Sequence, residues 1–290
     1  MIQELANRFA TRLGHGSRLI RAARPAYENT LNALSLGRGV PWSINGVPFR
    51  VDARFRSAMS KDYDSNIAEF LKGKVAPGAT CFDVGANLGV YVLQFAKWSQ
   101  PNGTVVAFEP NPATAAALRR HIAMNQLTHR VRVVDQAVSD RAGSAEFFAA
   151  GCDGMSRLGA PNRLIADRVQ KLSVSITTID EFVNQSGLAP DVMLIDVEGF
   201  EIRVLRGARH VLARYPEILL IVEMHPNVWE SAGTTTEQAI SIIRELNLDI
   251  VALSGQRDPL GEHGPVLLTA STRTTGRRSR HVADTMLAGA

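Results

Sequence analysis

Acidic side chains and a histidine follow two apolar segments in the second half of the chain. Asp196 and Glu198 come directly after one segment, and Glu223 and His225 close the other. A carboxylate or an imidazole within hydrogen-bond reach of an alcohol can accept its proton during a group transfer. If the two segments are neighbouring strands, the four side chains face one cleft. We take Asp196 and His225 as the leading candidates for a general base.

Each of these residues also fits a structural role. Glu198 suits the first turn of a following helix, where negative charge is favourable. Glu223 and His225 suit a pair with each other or with buried backbone, and a histidine that stands alone is more often structural than catalytic. Oxygen and nitrogen ligands of this kind also suit Mg²⁺. We nevertheless expect no metal.

A strand with a glycine-bracketed turn stands earlier in the chain, at Cys81-Phe-Asp-Val-Gly-Ala-Asn-Leu-Gly89. Glycine lets the backbone approach a ligand closely, and in an open α/β sheet ligands bind outside the carboxyl ends of the strands. The next apolar segment ends in Phe108-Glu109-Pro110. An acid at that point can accept both hydroxyls of a ribose. The two features together predict a site for a nucleoside cofactor.

The spacing within this turn distinguishes between nucleosides. Gly85 and Gly89 form G-x-x-x-G behind the acidic Asp83. A dinucleotide site instead uses G-x-G-x-x-G, with amides facing a pyrophosphate. An acid suits a positively charged ligand, and S-adenosylmethionine carries an ammonium and a sulfonium group. We therefore predict S-adenosylmethionine as the cofactor, and tight helix–strand packing is the alternative explanation for the glycines.

The elements that must position these residues alternate between apolar strands and helices from Ala76 onward. Continuous apolar strands indicate a parallel sheet covered on both faces, and the helices between them are the crossovers that such a sheet needs. The predicted strands are 80–84, 104–108, 131–134, 192–195, 218–222, 249–253 and 266–269, and the predicted helices are 88–98, 112–125, 200–213 and 234–246. The fold class is therefore α/β.

Other segments surround this series. Residues 42–51 alternate apolar and polar side chains around Asn45-Gly46, which predicts a β-hairpin, and residues 64–72 have the spacing of a short helix. Residues 137–177 interrupt the alternation with extended pieces and a polar loop, which predicts an inserted flap. We divide the chain into an N-terminal helix and hairpin (1–60), a catalytic domain (61–270) and a disordered basic tail (271–290).

Several of these motifs together resemble the FkbM family of S-adenosylmethionine-dependent methyltransferases. They are DVGANLG, FEPNP, Asp135-Gln-Ala-Val-Ser-Asp140, the segment IDVEGFEIRVLRGA at 195–208, and Val222-Glu-Met-His-Pro226. The likeness extends over roughly residues 60–255 by element spacing. The segment at 195–208 is the specific one, since DVGANLG is shared more widely among class I methyltransferases. Family members usually carry Lys just before this segment, where this chain has Leu194.

The resemblance implies a Rossmann-like, seven-stranded and mostly parallel sheet whose last strand is antiparallel. The residues that it implies around the methionine end of the cofactor are Asp83, Gly85, Asn87 and Gly89. It implies that Glu109 holds the ribose and that the turn Asp135-Gln136-Ala137 flanks the adenine. It also implies methyl transfer to oxygen of a sugar, a glycan, a lipid-linked saccharide or a natural product, with nitrogen still open as the acceptor atom.

Composition and charge exclude several classes of protein. The chain is 45% apolar and 21% charged, which is ordinary globular usage. Its net charge is +4, but the excess lies in the two termini, so the central part lacks the positive footprint of a nucleic-acid binder. No apolar run approaches the roughly 20 residues of a membrane-spanning helix. The two cysteines form no disulfide framework, so we expect a cytoplasmic protein. Peripheral membrane contact by the Arg-rich N-terminal helix and the oligomeric state stay open.

Three rival functions follow from shared features. A nicotinamide-dependent oxidoreductase has the same strand, turn and acid, but the glycine spacing and the Asp-Val-Glu-Gly segment speak against it. A methyltransferase acting on nucleic-acid bases commonly carries an Asn/Asp-Pro-Pro-aromatic turn or a Pro-Cys nucleophile, and this chain has neither. A non-catalytic protein that only binds the cofactor is the third alternative.

Overall fold

The computed structural model describes residues 18–152, 156–159, 167 and 169–271 of the chain. The strands are β1 (Val40–Ile44), β2 (Val47–Val51), β3 (Thr80–Val84), β4 (Thr104–Phe108), β5 (Val131–Val134), β6 (Ala137–Val138), β7 (Gly143–Ala149), β8 (Arg157–Leu158), β9 (Gln170–Thr177), β10 (Val192–Ile195), β11 (Leu219–Met224), β12 (Leu248–Ala252) and β13 (Gly264–Ala270). The helices are α1 (Arg18–Leu34), α2 (Ser65–Lys72), α3 (Val90–Trp98), α4 (Pro112–Met124), α5 (Ile179–Ser186), α6 (Glu201–Gly207), α7 (Arg209–Arg214), α8 (Pro226–Trp229) and α9 (Thr236–Glu245).

The centre of the molecule is a seven-stranded sheet in the order β12-β13-β11-β10-β3-β4-β5. The strands β11, β10, β3, β4 and β5 are parallel, and β13 runs antiparallel to β11 and to β12. The predicted α/β class, the seven strands and the reversed last strand are confirmed. Val84 pairs with both Ile195 and Phe108, so three central strands end at the same level. The residues that follow these strands are therefore neighbours at one edge of the sheet.

The sheet is apolar on both faces, as the continuous apolar strands predict. Cys81 and Val105 contribute to one buried cluster, which also contains Leu93 of α3. Phe82 contributes to a second buried cluster, which contains Leu205 of α6. Successive strand residues point to opposite faces, so helices must cover both sides of the sheet. This double layer holds the strand ends at fixed positions.

The segment before the sheet contains the predicted hairpin. The strands β1 and β2 pair antiparallel around Asn45 and Gly46, which have φ of 48° and 76° and form the turn that asparagine and glycine tolerate. Ile44 and Phe49 of the hairpin are buried in the same cluster as the residues of α3. Residues 1–17, which contain most of the predicted Arg-rich helix, and 272–290, which contain the predicted disordered tail, lie outside the described residues.

One helix differs from the sequence prediction. The helix predicted at 200–213 is two helices, because the chain leaves helical geometry at Ala208 (φ −107°, ψ 4°). The carboxylate of Asp180 in α5 accepts hydrogen bonds from the backbone N–H groups of His210 and Val211 and so caps the start of α7. A pattern of apolar side chains does not show such a cap.

The predicted flap is a four-stranded sheet in the order β6-β9-β7-β8. The strand β7 pairs antiparallel with β8 and β9, and β6 pairs parallel with β9. Residues 153–155, 160–166 and 168 of the flap lie outside the described part. Of the helices that the structure describes, none is both long and apolar enough to cross a membrane.

Candidate active site

A cavity of about 470 Å³ opens at the carboxyl ends of β3, β4, β10 and β11. Ten of the twelve residues singled out from the sequence line it: Asp83, Gly85, Asn87, Glu109, Gln136, Ala137, Asp196, Glu198, Glu223 and His225. The other two, Gly89 and Asp135, do not. The structure therefore brings together most of the cofactor residues and all four candidate catalytic residues.

The two glycines of the turn have different surroundings. Gly85 has φ of 93°, and a Cβ there would lie 1.8 Å from the carbonyl oxygen of Asp196. Gly89, with φ of 90°, begins α3, and a Cβ there would lie 2.4 Å from Leu118 Cδ1 of α4. Gly89 therefore allows a close contact between the start of α3 and helix α4, whereas Gly85 lets the turn lie against the end of β10.

Glu109 is held rigidly at the end of β4. Its carboxylate is 6% exposed and accepts hydrogen bonds from the backbone N–H groups of Asn87 and Asn111, each at 2.8 Å. Asn87 has φ of 46°, which asparagine tolerates and which turns its N–H toward the acid. Burial raises the pKa of Glu109 to about 7, although the two N–H donors oppose this shift.

Asp83 is the second acid at this end of the cavity. It is the fourth residue of β3 and is 3% exposed. Burial raises the pKa of Asp83 to about 8, and the negative charges of Asp196 and Glu109 add to the shift. A cationic ligand in the cavity would relieve this repulsion.

The turn after β5 is only partly in the cavity. Gln136 and Ala137 line it, whereas Asp135 Oδ2 forms an exposed ion pair with Arg119 at 2.8 Å. The side chain of Asp135 therefore lies away from the cavity, and only its backbone belongs to the turn. The sequence motif does not specify which side chain of the turn faces inward.

Two of the candidate catalytic residues, Asp196 and Glu198, lie beside the imidazole of a third, His225. Its Nε2 lies 3.9 Å from Asp196 Oδ1 and 3.9 Å from Glu198 Oε1. The oxygen Oδ1 of Asp196 is buried and has no hydrogen-bond partner within the described part of the chain. Glu198 has φ of 52° and is not the N-cap of α6, which is Phe200.

Burial and mutual repulsion change the acidity of these groups. Burial raises the pKa of Asp196 to about 7 and that of Glu223 to about 7, and neighbouring carboxylates reinforce both shifts, while His225 opposes them. Burial also raises the pKa of Glu198. Burial lowers the pKa of His225, but the hydrogen bond and the charge of Glu201, with the charges of Asp196 and Glu198, outweigh it and raise the value to about 10.

Glu201 is a site residue that the sequence reasoning missed. Its fully buried carboxylate accepts a hydrogen bond from His225 Nδ1 at 2.9 Å, and its other oxygen accepts one from Trp229 Nε1 at 2.8 Å. The backbone N–H of Gly199 also donates to it, at 2.7 Å. The signal was present in the segment Asp-Val-Glu-Gly-Phe-Glu, whose last acid falls in the first turn of α6. His225 Nδ1 also lies 3.1 Å from the backbone carbonyl oxygen of Glu223, which is a contact with backbone, whereas its carboxylate partner is Glu201.

His263 was also missed. It precedes β13, lines the cavity, and its Nε2 lies 3.1 Å from Glu223 Oε1. The register between β11 and β13 pairs Met224 with Gly264, which brings His263 beside His225 with ring centroids 4.6 Å apart. A sequence pattern alone does not give this register. Tyr63 and Tyr91 complete the wall above this cluster.

The strand order, the reversed β13 and a ligand cavity at the carboxyl ends of the central strands define a class I methyltransferase fold. The family model described as the methyltransferase FkbM domain matches residues 83–249. The chain therefore belongs to the FkbM methyltransferase family and is an enzyme of the methyltransferase class. The family match favours the methyltransferase prediction over the oxidoreductase alternative.

Three relatives illustrate the range of this similarity. The 31-O-demethyl-FK506 methyltransferase FkbM of Streptomyces tacrolimicus is 31% identical over 232 residues, which cover 70% of this chain and 84% of that protein. The 2-O-methyltransferase NoeI of Sinorhizobium fredii is 27% identical over 151 residues, 48% of this chain and 60% of that protein. The hexuronic acid methyltransferase AglP of Haloferax volcanii is 27% identical over 184 residues, 61% of this chain and 66% of that protein.

Proposed function

We propose that this protein transfers the methyl group of S-adenosylmethionine to a hydroxyl oxygen of a sugar or a natural product. The observation that carries the proposal is one cavity with two acidic ends, Asp83 and Glu109 at β3 and β4, and the cluster around His225 at β10 and β11. The names of the relatives support it, since two are O-methyltransferases and a third methylates a hexuronic acid.

The end of the cavity near β3 and β4 fits S-adenosylmethionine. The carboxylate of Glu109, fixed by two backbone N–H groups, is oriented to accept the ribose hydroxyls. Asp83, buried and repelled by other acids, suits the positive charge of the methionine end. Gln136 and Ala137 form the wall on which the adenine would lie. When bound, the cofactor supplies a methyl group activated by a sulfonium.

Gly85 connects this end to the acceptor end. Because the turn contacts the carbonyl of Asp196 directly, the cofactor and the catalytic cluster are held at a fixed separation. Alignment of an acceptor oxygen with a methyl group accounts for much of the acceleration in a displacement of this kind. Because Gly85 has no side chain, the turn can contact the Asp196 carbonyl, and this contact brings the two acidic ends of the cavity together.

The acceptor end must take a proton, since a hydroxyl that gains a methyl group loses its hydrogen. We assign this role to Asp196, because its Oδ1 is buried at the cavity and, among the described residues, no group donates to it. Glu198, Glu223 and His225 surround it and position the acceptor. The acceptor oxygen forms a bond to the methyl carbon, the carbon–sulfur bond breaks, and the proton passes to Asp196.

Calorimetric titration with S-adenosylmethionine, and separately with NAD, tests the cofactor. We expect binding of S-adenosylmethionine alone and weaker binding by Glu109→Gln. Methyl transfer from radiolabelled S-adenosylmethionine is then measured on matched sugar alcohols and amino sugars. Labelling of amino groups only, or binding of NAD in place of S-adenosylmethionine, would contradict the proposal.

A further inference from the structure

Three side chains with metal-binding atoms meet beside the proposed transfer site. Glu223 and His225 are two residues apart at the end of β11, so their side chains leave the same face of the strand. The antiparallel register of β13 sets His263 opposite His225 on that face. The ligand atoms of the three side chains all lie within 4.8 Å of one another. After small side-chain rotations, all three ligand atoms can lie at an ordinary coordination distance from one cation.

The partner of His225 fixes which of its ring nitrogens is available to an ion. Nδ1 donates to the buried Glu201, so Nε2 points toward the carboxylates of Asp196 and Glu198. Metal-binding histidines characteristically donate their second ring nitrogen to a carboxylate, which sets the tautomer and the orientation of the ring. Trp229 Nε1 in turn holds the other oxygen of Glu201. The hydrogen bonds that orient His225 are therefore those expected for a metal-binding histidine.

The charge around the cluster also favours a cation. Asp196 and Glu198 each lie 3.9 Å from His225 Nε2, and Glu223 lies 3.1 Å from His263 Nε2. Asp196 Oδ1 is also buried with no donor among the described residues. Buried carboxylates without donors are costly, and an ion that they surround removes that cost. Two imidazoles with one carboxylate suit first-row transition ions better than Mg²⁺, which prefers oxygen ligands.

We propose that Glu223, His225 and His263 bind a divalent transition-metal ion, of the Mn²⁺ or Zn²⁺ class, at the acceptor end of the cavity. Its role rests on the proposed function: the ion coordinates the acceptor hydroxyl and lowers its pKa, and Asp196 accepts the proton. The resulting oxygen anion forms the bond to the methyl carbon, and the electron pair of the carbon–sulfur bond remains on sulfur. His225 then acts as a ligand rather than as a base.

The test is titration of the metal-stripped full chain with MnCl₂, followed by calorimetry and by electron paramagnetic resonance of free Mn²⁺. His263→Gln is the informative variant, because this side chain is 53% exposed and its replacement leaves the core intact. His210→Gln is the matched control, since His210 is also exposed and pairs with a carboxylate, Asp180 at 2.9 Å, but lies in α7 away from the cavity. Zn²⁺ and Mg²⁺ are titrated as competitors.

We expect one Mn²⁺ per chain for the wild type and for His210→Gln, and at least about tenfold weaker binding for His263→Gln. No binding to the wild type, or equal binding by His263→Gln, overturns the inference. Full methyl transfer by the chelator-treated enzyme also overturns it and leaves the proposed function intact. Metal binding without any binding of S-adenosylmethionine supports the ion site and contradicts the proposed function.

Discussion

The α-carbon of Gly85 lies against the carbonyl oxygen of Asp196, so that any Cβ at position 85 would come within 1.8 Å of it. The two residues belong to different strand ends, β3 and β10, which pair in parallel register. The contact joins the glycine turn to the carboxylate cluster through backbone alone. A side chain at position 85 would push apart the two halves of the cavity.

Gly85→Ala is expected to reduce both the stability and the activity. It combines strain at φ of 93° with a collision against backbone that has no freedom to move. Gly78→Ala is the matched control, because Gly78 has φ of 86° and nothing within 4 Å of an added Cβ. The control should lower the free energy of unfolding by about 1–2 kcal/mol, because alanine is strained in left-handed backbone. If urea denaturation gave equal decreases in the free energy of unfolding for the two variants, the close contact would have no energetic role.

Asp196→Asn should retain affinity for S-adenosylmethionine and lose turnover by about 10²–10⁴-fold, because the amide cannot accept the hydroxyl proton. Asp191→Asn is the control, since Asp191 lies at the other end of the same strand and its carboxylate bonds the backbone N–H of Thr80. Calorimetry and initial rates separate binding from turnover. Unchanged turnover would remove Asp196 from the mechanism.

The affinity for S-adenosylmethionine should rise between pH 6 and pH 8. Burial raises the pKa of Glu109 to about 7, so the carboxylate that accepts the ribose hydroxyls is ionised only above that value. Glu109→Gln should bind S-adenosylmethionine about 1.5–3 kcal/mol more weakly than the wild type at pH 8. Its affinity should also depend less on pH. Glu217→Gln, an exposed substitution, serves as the control. A pH profile identical in wild type and Glu109→Gln would contradict the assignment.

Asp83→Asn should stabilise the ligand-free protein at pH 8 while weakening its cofactor binding. Burial raises the pKa of Asp83 from 3.8 to about 8, so between these values the folded state holds a proton that the unfolded state has released. Stability therefore falls as the pH rises through this window. Each pKa unit corresponds to about 1.4 kcal/mol, so the variant should gain at least ~1 kcal/mol at pH 8.

Thermal denaturation at pH 5 and at pH 8 measures this effect. The wild type should lose more stability than Asp83→Asn between the two pH values. Other buried acids contribute to the slope, so the variant reduces it without abolishing it. Parallel curves for the two proteins would mean that Asp83 has no raised pKa.

Glu201→Gln should lower turnover and, on the metal proposal, Mn²⁺ affinity by about 10–100-fold, because His225 loses the carboxylate that orients its ring. Binding of S-adenosylmethionine should be unchanged, since Glu201 does not line the cavity. Glu201 is a positioning residue, and the split between turnover and cofactor affinity distinguishes this role from a general loss of folding. A comparable loss of both would contradict it.

The sheet and the cofactor end were predictable from local patterns. Continuous apolar segments predicted β3, β4 and β10 to within a residue, and Asp83 and Glu109 were identified from their places at the ends of buried strands. Such features depend on a few adjacent residues whose periodicity and polarity are visible in the chain. The sequence did not show which side chains of the turn at 135–137 face the cavity, because the residues of a turn have no fixed periodicity.

The acceptor end was predictable only in part. Asp196 and His225 stood out as polar residues at strand ends, but the partner of His225 is Glu201 on a helix and its neighbour is His263 before the last strand. These contacts depend on the helix orientation and on the register between β11 and β13, which come from packing across the whole sheet. Tertiary contacts of this kind leave little trace in any short stretch of sequence.

The order of the last two strands in the sheet differs from their order in the chain. β13 lies between β11 and β12, although it is synthesised after both. β12 cannot take its final place at the edge until β13 has paired with β11. The β11–β13 pairing also places His263 beside His225. During synthesis on the ribosome, a chain that already contains Gly85 and Asp196 therefore cannot hold His263 in this position until β13 has been translated.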